Sequence, residues 1–213
     1  MRINYLSLGF YVLTFLLALF ILIYISATVG LVVFSLGLFI FFLFRRKKVI
    51  FRDNLSHTRD ILTSPVHGQV YSIEREPVEL EGEQFTLVRI VLPLFFESGL
   101  YSPASSEIVN RSVHKGGRFF RYAQSLKTEG ISCMNLKFFT NTSKTFHMSV
   151  LKDWLGGIPY FWTTIGDRAS CGGCLGFLPF GGTVLLYVPI ESEIFVKEED
   201  MLIAGQTSIA GFH

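Results

Sequence analysis

The apolar residues of this chain gather at its front. From Tyr5 to Phe44 there is no charged residue, a run of about 40, whereas one membrane-spanning helix needs only about 20. Small and polar residues cluster once inside the run, at Ser26-Ala-Thr-Val-Gly30, and this predicts a hairpin with helices at about 6–25 and 28–44. A cleaved signal peptide has an apolar region of about 7–15 residues ending at a small-residue site, so the run is too long for one. Beyond it the pattern changes to short β-type runs bounded by turn residues, at 68–73, 85–92, 106–109, 132–139, 145–150, 183–188 and 194–196. One helix is predicted over 149–155, stopped by Gly156-Gly157, and the aromatic cluster at 158–162 reads as core or membrane-facing packing. The expected fold is an α-hairpin of two transmembrane helices in a 1–48 anchor, followed by a β-rich α+β domain over 49–213.

Charge orients this arrangement. Arg45, Arg46, Lys47 and Lys48 follow the apolar run directly, and such clusters stay on the cytoplasmic side of a membrane. The expected location is the inner membrane, with the β domain in the cytoplasm. The four cations also suit phospholipid headgroups, each worth about 1 kcal/mol near an anionic surface, although a topology signal alone explains them. The net charge of +2, with no basic face carrying interleaved aromatics, argues against a nucleic-acid partner.

Residue chemistry alone supports little catalysis. Of three cysteines, two form Cys171-Gly-Gly-Cys174. A zinc site would need two further ligands, from Cys133 and one of His57, His67, His114 or His147, and no paired spacing suggests it. A thioredoxin-like pair would open a helix, whereas this one lies in a glycine-rich turn between strands, so the cysteines read as reduced and structural and no metal is expected. No nucleophile elbow and no phosphate-binding glycine loop is present. The carboxylates at 74–83 and 191–200 read as solvated loops. The step Gly181-Gly182, between apolar segments spanning 174–189, is by itself a tight turn or a close backbone approach.

Several local patterns nevertheless occur in one order. After the apolar run come Ile50-Phe-Arg-Asp-Asn54, Ser64-Pro-Val-His-Gly-Gln-Val70, the segment from Pro93 to Pro103, and His114-Lys-Gly-Gly-Arg-Phe119. The chain closes with Gly176-Phe-Leu-Pro-Phe-Gly-Gly-Thr183, Tyr187-Val-Pro189 and Val196-Lys-Glu-Glu-Asp-Met-Leu-Ile-Ala-Gly-Gln-Thr207. In order and spacing this resembles the phosphatidylserine decarboxylases, in particular their short bacterial and archaeal, archaetidylserine decarboxylase-like form.

The resemblance implies a self-cleaving enzyme. In the family a Ser hydroxyl attacks the preceding glycine carbonyl, the resulting ester eliminates, and a pyruvoyl group is left as the cofactor; an Asp and a His activate that Ser. Here the Ser position is Gly182, the Asp position His67 and the His position Ser98, so all three lose their family chemistry and neither catalytic residues nor a cofactor are expected. Thr183 could attack the Gly182 carbonyl only as an atypical processing site, and its ordinary reading is a β-branched strand residue. The expected function is a non-cleaving pseudoenzyme that binds membrane phospholipid or serves a membrane protein complex, with a homodimer implied by the resemblance. The alternative is an active phosphatidylserine decarboxylase, processed at Gly182-Thr183 and making phosphatidylethanolamine.

Overall fold

The computed structural model describes residues 8–24, 27–43, 61–74, 76–93, 97–114, 116, 133–152 and 157–212, in two compact units, Met1–Lys47 and Lys48–His213. The first unit holds helices α1 (Leu8–Tyr24) and α2 (Ala27–Leu43), both built wholly from uncharged residues. They pack through Tyr11 against Phe41, ring centroids 5.2 Å apart, and Phe15 against Phe34 at 6.4 Å. Gly37 lets the helices approach, since a Cβ there would lie 2.8 Å from Thr14 Cγ2.

The expected transmembrane hairpin is overturned. Each helix has 17 residues, or roughly 26 Å of rise, against the ~30 Å hydrocarbon core that about 20 residues cross. Among the described residues no helix is long and apolar enough to cross a membrane. The apolar run is long enough for two helices, but a helix pair sharing it falls short of two full spans. Arg45, Arg46, Lys47 and Lys48 lie outside the described residues, as do 50–54, His57 and most of the 114–119 segment.

The second unit is all β among its described residues, so the α+β expectation is also corrected. Its strands are β1 (Ile61–Thr63), β2 (Gly68–Ile73), β3 (Val78–Leu80), β4 (Glu83–Leu92), β5 (Gly99–Tyr101), β6 (Ser106–His114), β7 (Cys133–Thr140), β8 (Thr145–Lys152), β9 (Tyr160–Phe161) and β10 (Arg168–Ala169). They continue with β11 (Cys174–Phe177), β12 (Gly182–Pro189), β13 (Glu193–Ile194), β14 (Met201–Leu202) and β15 (Ser208–Gly211). The helix expected over 149–155 fails because Ser149–Lys152 belongs to β8, where pairing with β7 and β12 on both sides outweighs local helix propensity. Residues 153–155 lie outside the described set.

A large antiparallel sheet runs β10-β6-β7-β8-β12-β4-β2-β14, with β3 added on β4, and two three-stranded sheets run β1-β15-β13 and β5-β11-β9. One face of the large sheet carries the main core, including Ile90, Leu136, Met148, Val184 and Leu186. A second cluster, with Phe85, Leu87, Leu151, Leu185 and Tyr187, covers part of the other face. Strands β4 and β12 are therefore apolar on both sides, which is why they read as continuous hydrophobic runs, whereas β6 and β7 alternate.

Candidate functional site

Segments far apart in sequence meet at one end of the β unit. Ser64 N donates to Thr207 O at 2.8 Å and Gly205 N donates to Ser64 O at 2.9 Å, so the C-terminal motif clamps the turn that precedes β2. Tyr101 N donates to Pro65 O at 2.8 Å, which adds the 97–103 segment. That segment is held in turn to the Cys171–Leu178 stretch by Ser102 N to Gly173 O and Leu178 N to Ser98 O, each 2.8 Å. From Leu178 the chain turns through Pro179 to Gly181, with Phe180 at φ 61° and Gly181 at φ 80°, and enters β12 at Gly182.

Gly182 sits between Lys152 of β8 and Leu92 of β4, fully laddered on both sides. A Cβ on it would come within 3.0 Å of the Leu151 carbonyl oxygen and 2.6 Å from Leu178 Cδ2. The backbone oxygen is the decisive contact, because a ladder strand cannot shift as a side-chain end can. A pyruvoyl group keeps the Cα and Cβ of a serine whose hydroxyl leaves with the upstream piece, so residue 182, which has neither Cβ nor hydroxyl, does not fit it. The residue has no side chain, and the packing leaves no room for one.

His67 lies in the turn before β2, two strands from Gly182 with β4 between them, roughly 10 Å at ~4.8 Å per strand. Its Nε2 is 3.6 Å from Glu97 Oε2. Glu97 is wholly buried at its side chain, and its other oxygen, Oε1, accepts from the Tyr101 hydroxyl at 2.9 Å. The His67 imidazole thus faces a buried carboxylate at Glu97. At 3.6 Å the two groups are at ion-pair distance, beyond hydrogen-bond reach.

The structure brings His67, Ser98 and Gly182 to the same end of the β unit. Ser98 is buried and contributes a carbonyl that anchors the turn at Leu178. Thr183 is also buried and stands opposite Leu151, on the face it shares with Leu185, whereas the side position of Gly182 points at Leu178 of the main core. Sequence reasoning missed Glu97. The available signal was a single carboxylate inside the apolar stretch 91–101, since a charge buried there requires a partner.

The cysteines of the Cys171–Cys174 turn are not joined as a disulfide. Cys171 Sγ lies 3.5 Å from Thr63 Oγ1 and 3.6 Å from Pro103 O, and burial pushes its thiol above the usual range although the Thr63 hydrogen bond opposes this. Cys174 Sγ reaches Gly176 O at 3.5 Å. Among the described residues no group of His, Cys, Asp and Glu is arranged to hold a metal ion.

No protein-family model and no solved structure matches the chain. Curated proteins do. The phosphatidylserine decarboxylase proenzyme of Symbiobacterium thermophilum is 27% identical over 188 residues, covering 87% of this chain and 85% of that protein. The proenzyme of Anaplasma phagocytophilum is 27% identical over 157 residues, covering 70% and 66%, and that of Desulfotalea psychrophila 24% over 148 residues, covering 68% of each. These relatives, spanning most of the chain, and the motif segments meeting around one glycine turn support membership of the phosphatidylserine decarboxylase family.

Proposed function

We propose that this chain is a membrane-associated member of the family that neither cleaves itself nor decarboxylates, and that acts as a phospholipid-binding module or a component of a membrane complex. Gly182 carries the reading. The position that must supply a hydroxyl has no side chain, and a Cβ there meets the Leu151 carbonyl oxygen. Membrane association is supported by the helix pair, which leaves Leu13, Ile23, Leu31 and Val32 more than 60% exposed, a surface that favours apolar surroundings.

The second reading, an active lyase processed at Gly182-Thr183, is favoured by one observation, the buried carboxylate–imidazole pair of Glu97 and His67. Against it, Thr183 lies inside the β12 ladder and on the face away from Leu178. Mass spectrometry of the purified chain separates the two. One species near 24.1 kDa supports the non-cleaving reading, and two pieces split between Gly181 and Thr183 would sink it. Flotation with phosphatidylserine vesicles then distinguishes a lipid-binding module from a complex component, since only the former prefers those vesicles over phosphatidylcholine.

A further inference from the structure

Two rows of polar side chains cross the face of the large sheet that lies away from the main core. One row is Asn110, Lys137, His147 and Tyr187, on β6, β7, β8 and β12; the next is Ser112, Asn135 and Ser149. A polar outer face is ordinary when water covers it. Here His147, Ser149 and Tyr187 are buried. Leu80 and Glu81, at the tip of the β3–β4 hairpin, reach over the rows, and Glu81 closes on Lys137 as an ion pair. Beneath them is a cavity of about 140 Å³, several times the ~30 Å³ that one water occupies. His147 is 6% exposed and its Nε2 is buried in this lining without a hydrogen-bond partner among the described residues.

We propose that this pocket binds a phosphate-class oxyanion, with Lys137 Nζ and His147 Nε2 as its principal donors. The lining is rich in donors, with two amides, two serine hydroxyls and the Tyr187 phenol beside the ammonium and the imidazole. Its one carboxylate, Glu81, already sits on Lys137 and marks where negative charge is favoured, so an incoming anion displaces it. Burial holds His147 below its usual range, Glu81 and Glu83 from the hairpin draw it back up, and Lys137 opposes a proton there; a bound dianion adds its pull to that of the carboxylates. The site is separate from the glycine turn, since Tyr187 lies roughly 16 Å along β12 from Gly182 at ~3.3 Å per residue. A lipid phosphomonoester headgroup and a soluble phosphate share this chemistry.

The test is calorimetry on the full chain in detergent, using inorganic phosphate and glycerol phosphate against chloride at equal ionic strength. Alongside it, recruitment is measured to phosphatidylcholine vesicles with and without phosphatidic acid, for wild type and Lys137→Met. Lys137→Met and His147→Gln are each expected to weaken phosphate binding at least ~10-fold, the factor of one lost charge-assisted hydrogen bond. Glu81→Gln, at an exposed turn residue, is expected to tighten it about two- to fivefold by removing the internal competitor. Heat with the soluble phosphates supports the pocket with a soluble ligand. A Lys137-dependent preference for phosphatidic acid without such heat supports it with a lipid headgroup. The proposal is overturned if neither is seen, if Lys137→Met binds like wild type, or if Glu81→Gln, confirmed folded by circular dichroism, binds more weakly.

Discussion

Restoring a serine at position 182 is the most direct perturbation of the glycine turn, and the structure predicts that it damages the fold without restoring cleavage. The new Cβ would lie within 3.0 Å of the Leu151 carbonyl oxygen and 2.6 Å from Leu178 Cδ2, at a residue whose φ is 158°. Leu178 can turn aside, but the Leu151 carbonyl belongs to the β8–β12 ladder and moves only if that pairing opens. Overpacking of this kind costs about 1–3 kcal/mol. For a domain of this size each kcal/mol lowers the melting temperature by about 2–4 °C, so Gly182→Ser should melt roughly 2–12 °C below wild type. Gly182→Ala is the control, because it adds the Cβ without the hydroxyl. Replacing glycine by alanine at an unstrained site stabilises by about 0.4–1 kcal/mol through the unfolded chain, so a loss in both variants assigns the cost to the Cβ. The pair is melted by circular dichroism and weighed by mass spectrometry. Melting within 1 °C of wild type would refute the steric argument, and two fragments from Gly182→Ser would refute the claim that His67 and Ser98 also withhold the chemistry.

Three further outcomes are expected. Glu97→Gln removes the carboxylate shared by His67 and Tyr101, and should cost about 1–3 kcal/mol in urea unfolding; an unchanged midpoint would show that the pair does not matter to the fold. Burial keeps His147 neutral in the folded chain, so the unfolded chain binds the extra proton. Its contribution is complete above the ordinary histidine pKa of about 6.5 and is lost as pH falls through the lower folded value. The wild-type urea midpoint should therefore fall more between pH 8 and pH 5 than that of His147→Gln, and parallel curves would contradict this. Burial also pushes the Cys133 and Cys171 thiols up, so both should alkylate at pH 7.5 at least ~10-fold more slowly in the folded chain than in urea, read by peptide mass mapping.

The longer strands were legible in the sequence because their signal is local. The run at 68–73 coincides with β2, and those at 85–92, 145–150 and 183–188 lie inside β4, β8 and β12. The transmembrane hairpin was misjudged because apolar length counts residues over the whole run, whereas crossing depends on the length of each helix, here 17 residues. The helix expected over 149–155 failed for a similar reason, since partners on β7 and β12 decide the state of β8.

By itself, the sequence determined the family motifs, their order, and the absence of a hydroxyl at Gly182, because these are matters of residue identity. Only the tertiary structure decided that Glu97 faces His67, that a Cβ at 182 has no room, and that the β3–β4 hairpin roofs a polar pocket around His147. Each of these joins residues distant along the chain, and strand pairing and chain crossing set such distances, which no local pattern of side chains records.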